Sequence, residues 1–442
     1  LPAQSMSTNC TSPYPRLITR SIVRGLLPDP IGGGDTVITY LYRDEFTTSE
    51  SAPIASPRTA EPGPGILTFV QTDSELSIVG GKLVFPVQAT PTWADQGYYT
   101  GSIARAAGTL ISSQINVDLA TKTVSATCQK TASLASAQRQ YELGFSNTAL
   151  NKWADDGIGG LQVGDFVAAT DYQVLFVLRE TGAHFLIKGG VYTDWTLLWV
   201  DANGTAAVFA GLSNYNASGT QEYFRVPTEL WTPTPLASDS FDRADSISLG
   251  NTDGAGAEES GGSGLAWTKS TGGAYDLDLL VIENNALVST DPTGGRSAVA
   301  TMDAGSSDVL VQTSLTANAW ASLVLRWQDS SNHWNLEVNS SNKFTLYEVA
   351  TSWTQRAQAT PTINAGTAYD VVVVLDDETI TCYLDAGPWP IPSVRISYGS
   401  ASSHKTNTVH GVWLDDANGG NEPKTDNFIV WPRNPTGVPD DA

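Results

Sequence analysis

Along most of this chain, apolar residues come in short runs that alternate with polar ones and are cut off by turn residues. In HWNLEV (333–338), and over the first positions of KFTLYEV (343–349), polar and apolar residues alternate, a pattern that places one strand face inward and the other in water. DLDLLVIENNALVST (276–290) reads as strand, Glu-Asn-Asn turn, strand, and residues 308–350 read as four strands in a meander. VVVVL (371–375) is by its length a fully buried strand, not a membrane span. Helical periodicity is nearly absent; TASLASAQRQYELG (131–144) is the one segment that reads as a helix or, equally, as a loop. So many short strands imply packed sheets, an all-β sandwich or jelly roll.

The pattern also repeats. AATDYQVLFVLRETGAHFLIKGG (168–190) aligns without a gap on AGTAYDVVVVLDDETITCYLDAG (365–387), matching Tyr172, Val174, Val177, Leu178 and Gly190 to Tyr369, Val371, Val374, Leu375 and Gly387. Each copy reads as a hairpin. DEF (44–46) recurs as DSF (239–241), and YFRV (223–226) as NFIV (427–430). Two copies of one domain are therefore expected at 44–231 and 239–432. An arm (1–43) precedes them, an extended, stiff linker TPTPLAS (232–238) joins them, and a tail (433–442) follows.

SFDRADSISLGNTDG (240–254), followed by LAWTKSTGGAYDLDLLVIENNALV (265–288) and closed by TDNFIVWP (425–432), resembles the concanavalin A-like (laminin-G-like) jelly rolls of phage minor tail proteins and bacterial surface proteins. The resemblance covers most of 239–432 and reaches the first copy through the repeat. It implies two tandem jelly-roll domains and an extracellular or virion-surface setting. It also implies that the first and last strands lie side by side, pairing the segment around Phe241 with that around Phe428. It does not imply catalysis, because this fold hosts lectins, hydrolases and inert spacers alike.

Composition narrows the function. A formal charge of -22 argues against a nucleic-acid partner, whose phosphates the chain would repel. Forty Gly, 23 Pro and only 16% charged residues suit a secreted or virion β-protein, and 13 Trp and 15 Tyr show that the chain folds. Three cysteines are too few for a disulfide framework. Cys128 and Cys382 sit in strand contexts and read as buried thiols, whereas Cys10 lies in the polar arm and would seek a partner, Cys128 being the nearest candidate in the first domain.

No catalytic pattern emerges, and the chain is expected not to be an enzyme. Family members that cut glucans carry carboxylates spaced as E-x-D-x-E on one strand, and no such spacing occurs here; Glu378 falls in a hairpin turn beside Asp376 and Asp377. No cofactor is implied. Asp415, Asp416 and Asn418 in WLDDANGGNEP form a candidate calcium loop, with an ordinary solvated turn as the alternative. His404 and His410 are six apart with no Cys nearby, which argues against a metal pair. Trp residues at alternating strand positions fill cores, but Trp353 in ATSWTQ and Trp389 in GPWPIP fall in turn contexts and are the candidate glycan-stacking residues. Asn203 in DANGTAA is the candidate glycosylation site.

The arm remains. Residues 1–43 carry a net charge of +2 ahead of an acidic body. YPRLITRSIVRGLL interleaves Arg16, Arg20 and Arg24 with Leu17, Ile18, Ile22, Val23 and Leu26, as strand or as helix. Such a segment folds back on its own domain, docks in a neighbour or anchors the chain elsewhere. The sequence is read as a structural subunit of an extracellular filament or phage fibre, its arm residues forming the contact from subunit to subunit. The alternative is a carbohydrate-binding tail protein or adhesin whose partners are glycans.

Overall fold

The computed structural model describes residues 38–439, apart from 72–74, 88–95, 119–122, 134–138, 147–148, 154–159, 181, 202–206, 216–217, 254–263, 271–278, 291–296, 318–319, 386–393 and 416–421. The described residues hold strands and turns and no α-helix, so nothing among them is a helix long and apolar enough to cross a membrane. The chain is all-β and forms two jelly-roll sandwiches in tandem. Residues 40–227 supply an 8-stranded and a 9-stranded antiparallel sheet, and residues 237–432 an 8-stranded and a 7-stranded one.

Alternation explains each sandwich. In Asn332–Asn339, Trp334, Leu336 and Val338 enter the second core while His333, Asn335 and Glu337 take the other face. In Thr123–Gln129, Val124, Ala126 and Cys128 enter the first core while Ser125, Thr127 and Gln129 take the other face. The segment 131–144, open as helix or loop from its sequence, contributes instead to the strand Arg139–Ser146, where Tyr141, Leu143 and Phe145 point inward with period two. The expected meander over 308–350 also needs correction. Val309–Ala317 lies in the 8-stranded sheet, and the chain then changes layer, so that the meander runs Trp320–Asp329, Asn332–Asn339, Lys343–Ala350 and Trp353–Ala359. Local alternation cannot tell these arrangements apart, because a strand looks the same in either layer.

The internal repeat is visible in side-chain detail. Asp44 pairs across the sheet with Phe224, and Asp239 with Phe428, so in both sandwiches the opening strand lies beside the closing one. Each aspartate accepts the backbone N–H two residues on, from Phe46 and from Phe241, both at 2.8 Å. Those phenylalanines adopt φ values of 49° and 52°, a left-handed turn that the carboxylate cap holds in place. Each aspartate also binds an arginine, Arg58 at 3.2 Å and Arg243 at 2.7 Å. Tyr172 and Tyr369 accept the N–H of the residue five earlier, Val167 at 2.9 Å and Asn364 at 2.7 Å.

The two sandwiches pack through their 8-stranded sheets. In Thr367–Asp376, Val371, Val373 and Leu375 face the second core, whereas Val372 and Val374 belong to the cluster built around the first. That is why the run is apolar at every position: both faces are buried. Leu310, Tyr383, Ile429 and Trp431 join them. Trp199 meets Tyr383 edge-on at 5.1 Å and His184 meets Trp431 at 4.7 Å. The Arg433 guanidinium donates to the Leu197 carbonyl, and the Leu197 N–H to the Arg433 carbonyl at 2.8 Å. The sheets therefore stack in four layers, and the 9-stranded and 7-stranded sheets turn their non-core faces away from each other.

Candidate functional site

The 7-stranded sheet carries a groove of about 450 Å³ on its outward face. Its strands run in the order Thr268–Lys269, Ser297–Asp303, Val409–Asp415, Trp320–Asp329, Asn332–Asn339, Lys343–Ala350, Trp353–Ala359. Register assembles the floor. Ser322 lies opposite Glu337 on one side and Trp413 on the other, and Val324 lies opposite Asn335. Because these residues occupy one parity of neighbouring strands, all face the groove, while Val412, Leu414, Leu323 and Leu336 on the other parity build the core.

One wall is aromatic. Trp353 meets Trp413 at 5.3 Å and Tyr347 at 5.4 Å, ring centre to ring centre. Behind them His333 stacks on Trp327 at 4.6 Å and touches both Trp353 and Trp413 at 6.0 Å. At the other end stands Trp320, and both it (47% exposed) and Trp353 (48%) offer broad faces to solvent. Large exposed aromatics beside a concavity are unusual on a soluble surface and suit stacking on a flat, partly apolar ligand.

The floor is polar and incompletely satisfied. Asn335 is 1% exposed, and neither its Nδ2 nor its Oδ1 has a hydrogen-bond partner among the described residues. Glu337 accepts from Asn339 Nδ2 at 2.8 Å, and Asp415 accepts from Ser297 Oγ at 2.9 Å. Burial, then the Glu337 carboxylate, raises the Tyr347 hydroxyl above its ordinary value. Burial pushes the His333 imidazole down to about 4, against the opposing pull of its hydrogen bond with the Asp329 carbonyl at 3.1 Å. His333 is thus a neutral aromatic spacer at neutral pH. The groove's charges are Glu337 and Asp415, with Lys343 at the rim.

Of the sequence candidates, Trp353 lines this groove and Asp415 closes one end of it. Trp389, Asp416, Asn418, Asn203, Cys10 and the arm residues Arg16, Leu17, Ile18, Arg20, Ile22, Val23, Arg24 and Leu26 lie outside the described residues. Cys128 is a buried free thiol in the first core, raised by that burial. No cluster of three or more His, Cys, Asp or Glu that could hold a metal occurs among the described residues. Glu378 sits in its hairpin turn, paired with Lys405 at 3.1 Å. Sequence reasoning missed Asn335, Glu337, Trp413, Trp320 and Tyr347. The alternation in NHWNLEVN did mark Asn335 and Glu337 as facing away from the core; only register shows that they share a concavity with Trp413, some 80 residues distant.

No family model and no curated protein sequence matches the chain. Solved structures similar to it include the carbohydrate-binding module CBM66 from Bacillus subtilis, at 14% identity over 37% of this chain and 94% of that one, TM-score 0.28. Another is the exoplasmic/lumenal domain of VIP36 in its Ca2+-bound form, at 4% identity over 43% and 93%, TM-score 0.32. A third is a β-1,3-glucanase from Mycobacterium marinum, at 14% identity over 42% and 98%, TM-score 0.28. Similarity at this level transfers no activity to this chain.

Proposed function

We propose that this protein binds a neutral polysaccharide through the outward groove of its second sandwich. The observation that carries the reading is the pairing of an aromatic wall, exposed Trp353 with half-buried Trp413 and Tyr347, with a buried floor amide, Asn335, that has no partner among the described residues. A pyranose ring needs both: an aromatic face for its C–H side, and amide and carboxylate groups for its hydroxyls. Glu337 and Asp415 make the groove unattractive to uronate or sulfated chains. An extracellular setting follows from that ligand class. The filament reading stood on residues 14–27, and nothing among the described residues adds to it.

Binding without cleavage is the chemistry we assign. Along Asn332–Asn339 the groove-facing positions read Asn335, Glu337, Asn339, one carboxylate flanked by two amides. An amide neither gives nor takes a proton near neutral pH, so this strand supplies no acid–nucleophile pair. The next carboxylate, Asp415, lies two strands away and two residues along. With strands about 4.8 Å apart and about 3.4 Å per residue, the two backbones are separated by about 12 Å. Glycoside hydrolysis places its carboxyl groups about 5 Å apart when retaining and about 6.5 to 9.5 Å apart when inverting.

A glycan microarray probed with the full chain tests the reading. Neutral β-linked or α-linked oligosaccharides are expected to bind, and Trp353→Ala with Trp413→Ala to lose at least tenfold. Binding confined to anionic glycans, or unaffected by the double substitution, refutes it.

A further inference from the structure

A second cavity, of about 500 Å³, opens at the junction of the two sandwiches. Its floor belongs to the second. On the strands Thr367–Asp376 and Thr379–Asp385 the side chains turned toward it are Val374, Asp376, Thr379, Thr381 and Tyr383. Register continues these rows onto the edge strand Val394–Tyr398, where Arg395 lies opposite Tyr383 and Ser397 opposite Thr381. The first sandwich covers the inner part of this face, so Val374 and Tyr383 are buried; the cover ends before the edge strand, and Arg395 and Ser397 are exposed. The walls come from the first sandwich, from its edge strands Gly160–Asp165 and Tyr192–Asp201.

These walls are fixed to each other and to the floor. Tyr192 Oη donates to the Asp165 carbonyl and accepts the Asp165 N–H, both at 3.0 Å. A Cβ on Gly164 would fall 2.4 Å from that hydroxyl, so glycine is what leaves room for the clamp. Tyr383 Oη donates to the Gln162 carbonyl at 2.9 Å, and Thr196 Oγ1 to Asn434 Oδ1 at 3.2 Å. A concavity preformed in this way where two domains meet is a favoured place for a ligand.

The charges facing the cavity decide what it takes. Arg433 is committed: it donates to the Asp376 carboxylate at 3.2 Å and to the Leu197 carbonyl. Arg395 has no carboxylate partner among the described residues, although acidic residues outnumber Lys and Arg by 46 to 24 in this chain. Asp165 and Asp194, both exposed on the walls, have no basic partner among the described residues either. One guanidinium and two carboxylates thus stand uncompensated around the hydroxyls of Thr193, Thr379, Thr381 and Ser397. An anion is repelled by the carboxylates, and a cation by the guanidinium. An uncharged ligand rich in hydroxyls suits both, because its oxygens accept from Arg395 while its O–H groups donate to Asp165 and Asp194, and hydrogen bonds to ionised groups are the stronger kind. The rings here are half-buried Tyr192 and buried Tyr383, so affinity comes from hydrogen bonds and not from stacking.

We propose that the cavity between the two sandwiches binds a short uncharged sugar, of one or two rings, through Arg395, Asp165 and Asp194. The site shares no residue with the outward groove of the 7-stranded sheet and does not depend on the reading of that groove.

Titration calorimetry on the full chain carrying Trp353→Ala and Trp413→Ala, which disable the groove, tests it with glucose, maltose and cellobiose, and with glucuronate and glucosamine as charged probes. At least one of the three neutral sugars should bind at one site per chain, and more tightly than either charged probe. Arg395→Met and, separately, Asp165→Asn in the same background should weaken that binding about tenfold or more. Both side chains are exposed, so the unfolding midpoint without sugar should stay near that of the parent. Saturating sugar should raise the midpoint of the parent and leave that of Arg395→Met in place. Binding unchanged by both substitutions, a charged probe that binds more tightly than every neutral sugar, or no binding of any neutral sugar overturns the cavity site. Because the groove is disabled throughout, none of these results bears on the groove, which the microarray with the wild-type chain decides.

Discussion

Replacing Asn335 by leucine should strengthen the fold and weaken the function. The Asn335 amide is buried with neither polar atom partnered among the described residues, and leucine nearly matches it in volume. Removing an unsatisfied amide from a buried position relieves about 1–3 kcal/mol of desolvation, so the unfolded fraction should fall by about five- to 150-fold. Because the side chain sits between Val324 and Tyr347 on the neighbouring strands, no cavity opens and no charge is orphaned. When ligand is bound, the same amide supplies hydrogen bonds worth about 0.5–1.5 kcal/mol each. Losing two of them costs about 1–3 kcal/mol, a five- to 150-fold rise in Kd. Urea unfolding reads the first effect as a higher midpoint at constant slope, and titration calorimetry reads the second. A lower midpoint with unchanged affinity would mean that the amide is held internally and does not face a ligand, and the groove argument would fail.

Acidification should destabilise the protein through its histidines. His333 and His410 are each pushed down to about 4 by burial, so the unfolded chain takes up protons below about 6.5 while the folded one does not, and stability is lost as pH falls from about 6.5 to 4. For His333 this amounts to about 2 kcal/mol between pH 7 and pH 5, and His333→Phe should be less acid-sensitive than the wild type by that amount in urea midpoints; an equal pH slope in both would contradict the burial argument. Trp431, 1% exposed and hydrogen-bonded through Nε1 to Gln312 at 2.8 Å, locks the two sandwiches, so Trp431→Ala should cost about 3–5 kcal/mol and split one unfolding transition in calorimetry into two; a single unshifted transition would count against the shared core. Glu337→Gln should leave no hydrolytic activity to lose, and reducing-sugar release that disappears in this variant would show that the protein cuts glycans.

Local chemistry was enough to reveal the strands, because period-two alternation and turn residues act within a few positions of each other. Asn284 and Asn285, with φ of 51° and 59°, form the turn that ENN announced. The matched DEF and DSF segments likewise marked where each copy opens, whereas the capping of the Phe46 and Phe241 turns by Asp44 and Asp239 is seen only in the structure. The segment 131–144 shows the limit: its Ala, Gln and Glu favour helix locally, but the neighbouring strands Thr123–Gln129 and Ala149–Trp153 offer a ladder on both sides, and pairing wins. VVVVL told that both faces are buried and could not tell against what; the partner, residues such as Trp199 and His184, lies in the other copy of the repeat. The groove was least legible. Trp413, Asn335 and Trp353 meet because a sheet brings distant strands into register about 5 Å apart, and register is decided by the packing of the whole core, which no short stretch of the chain contains.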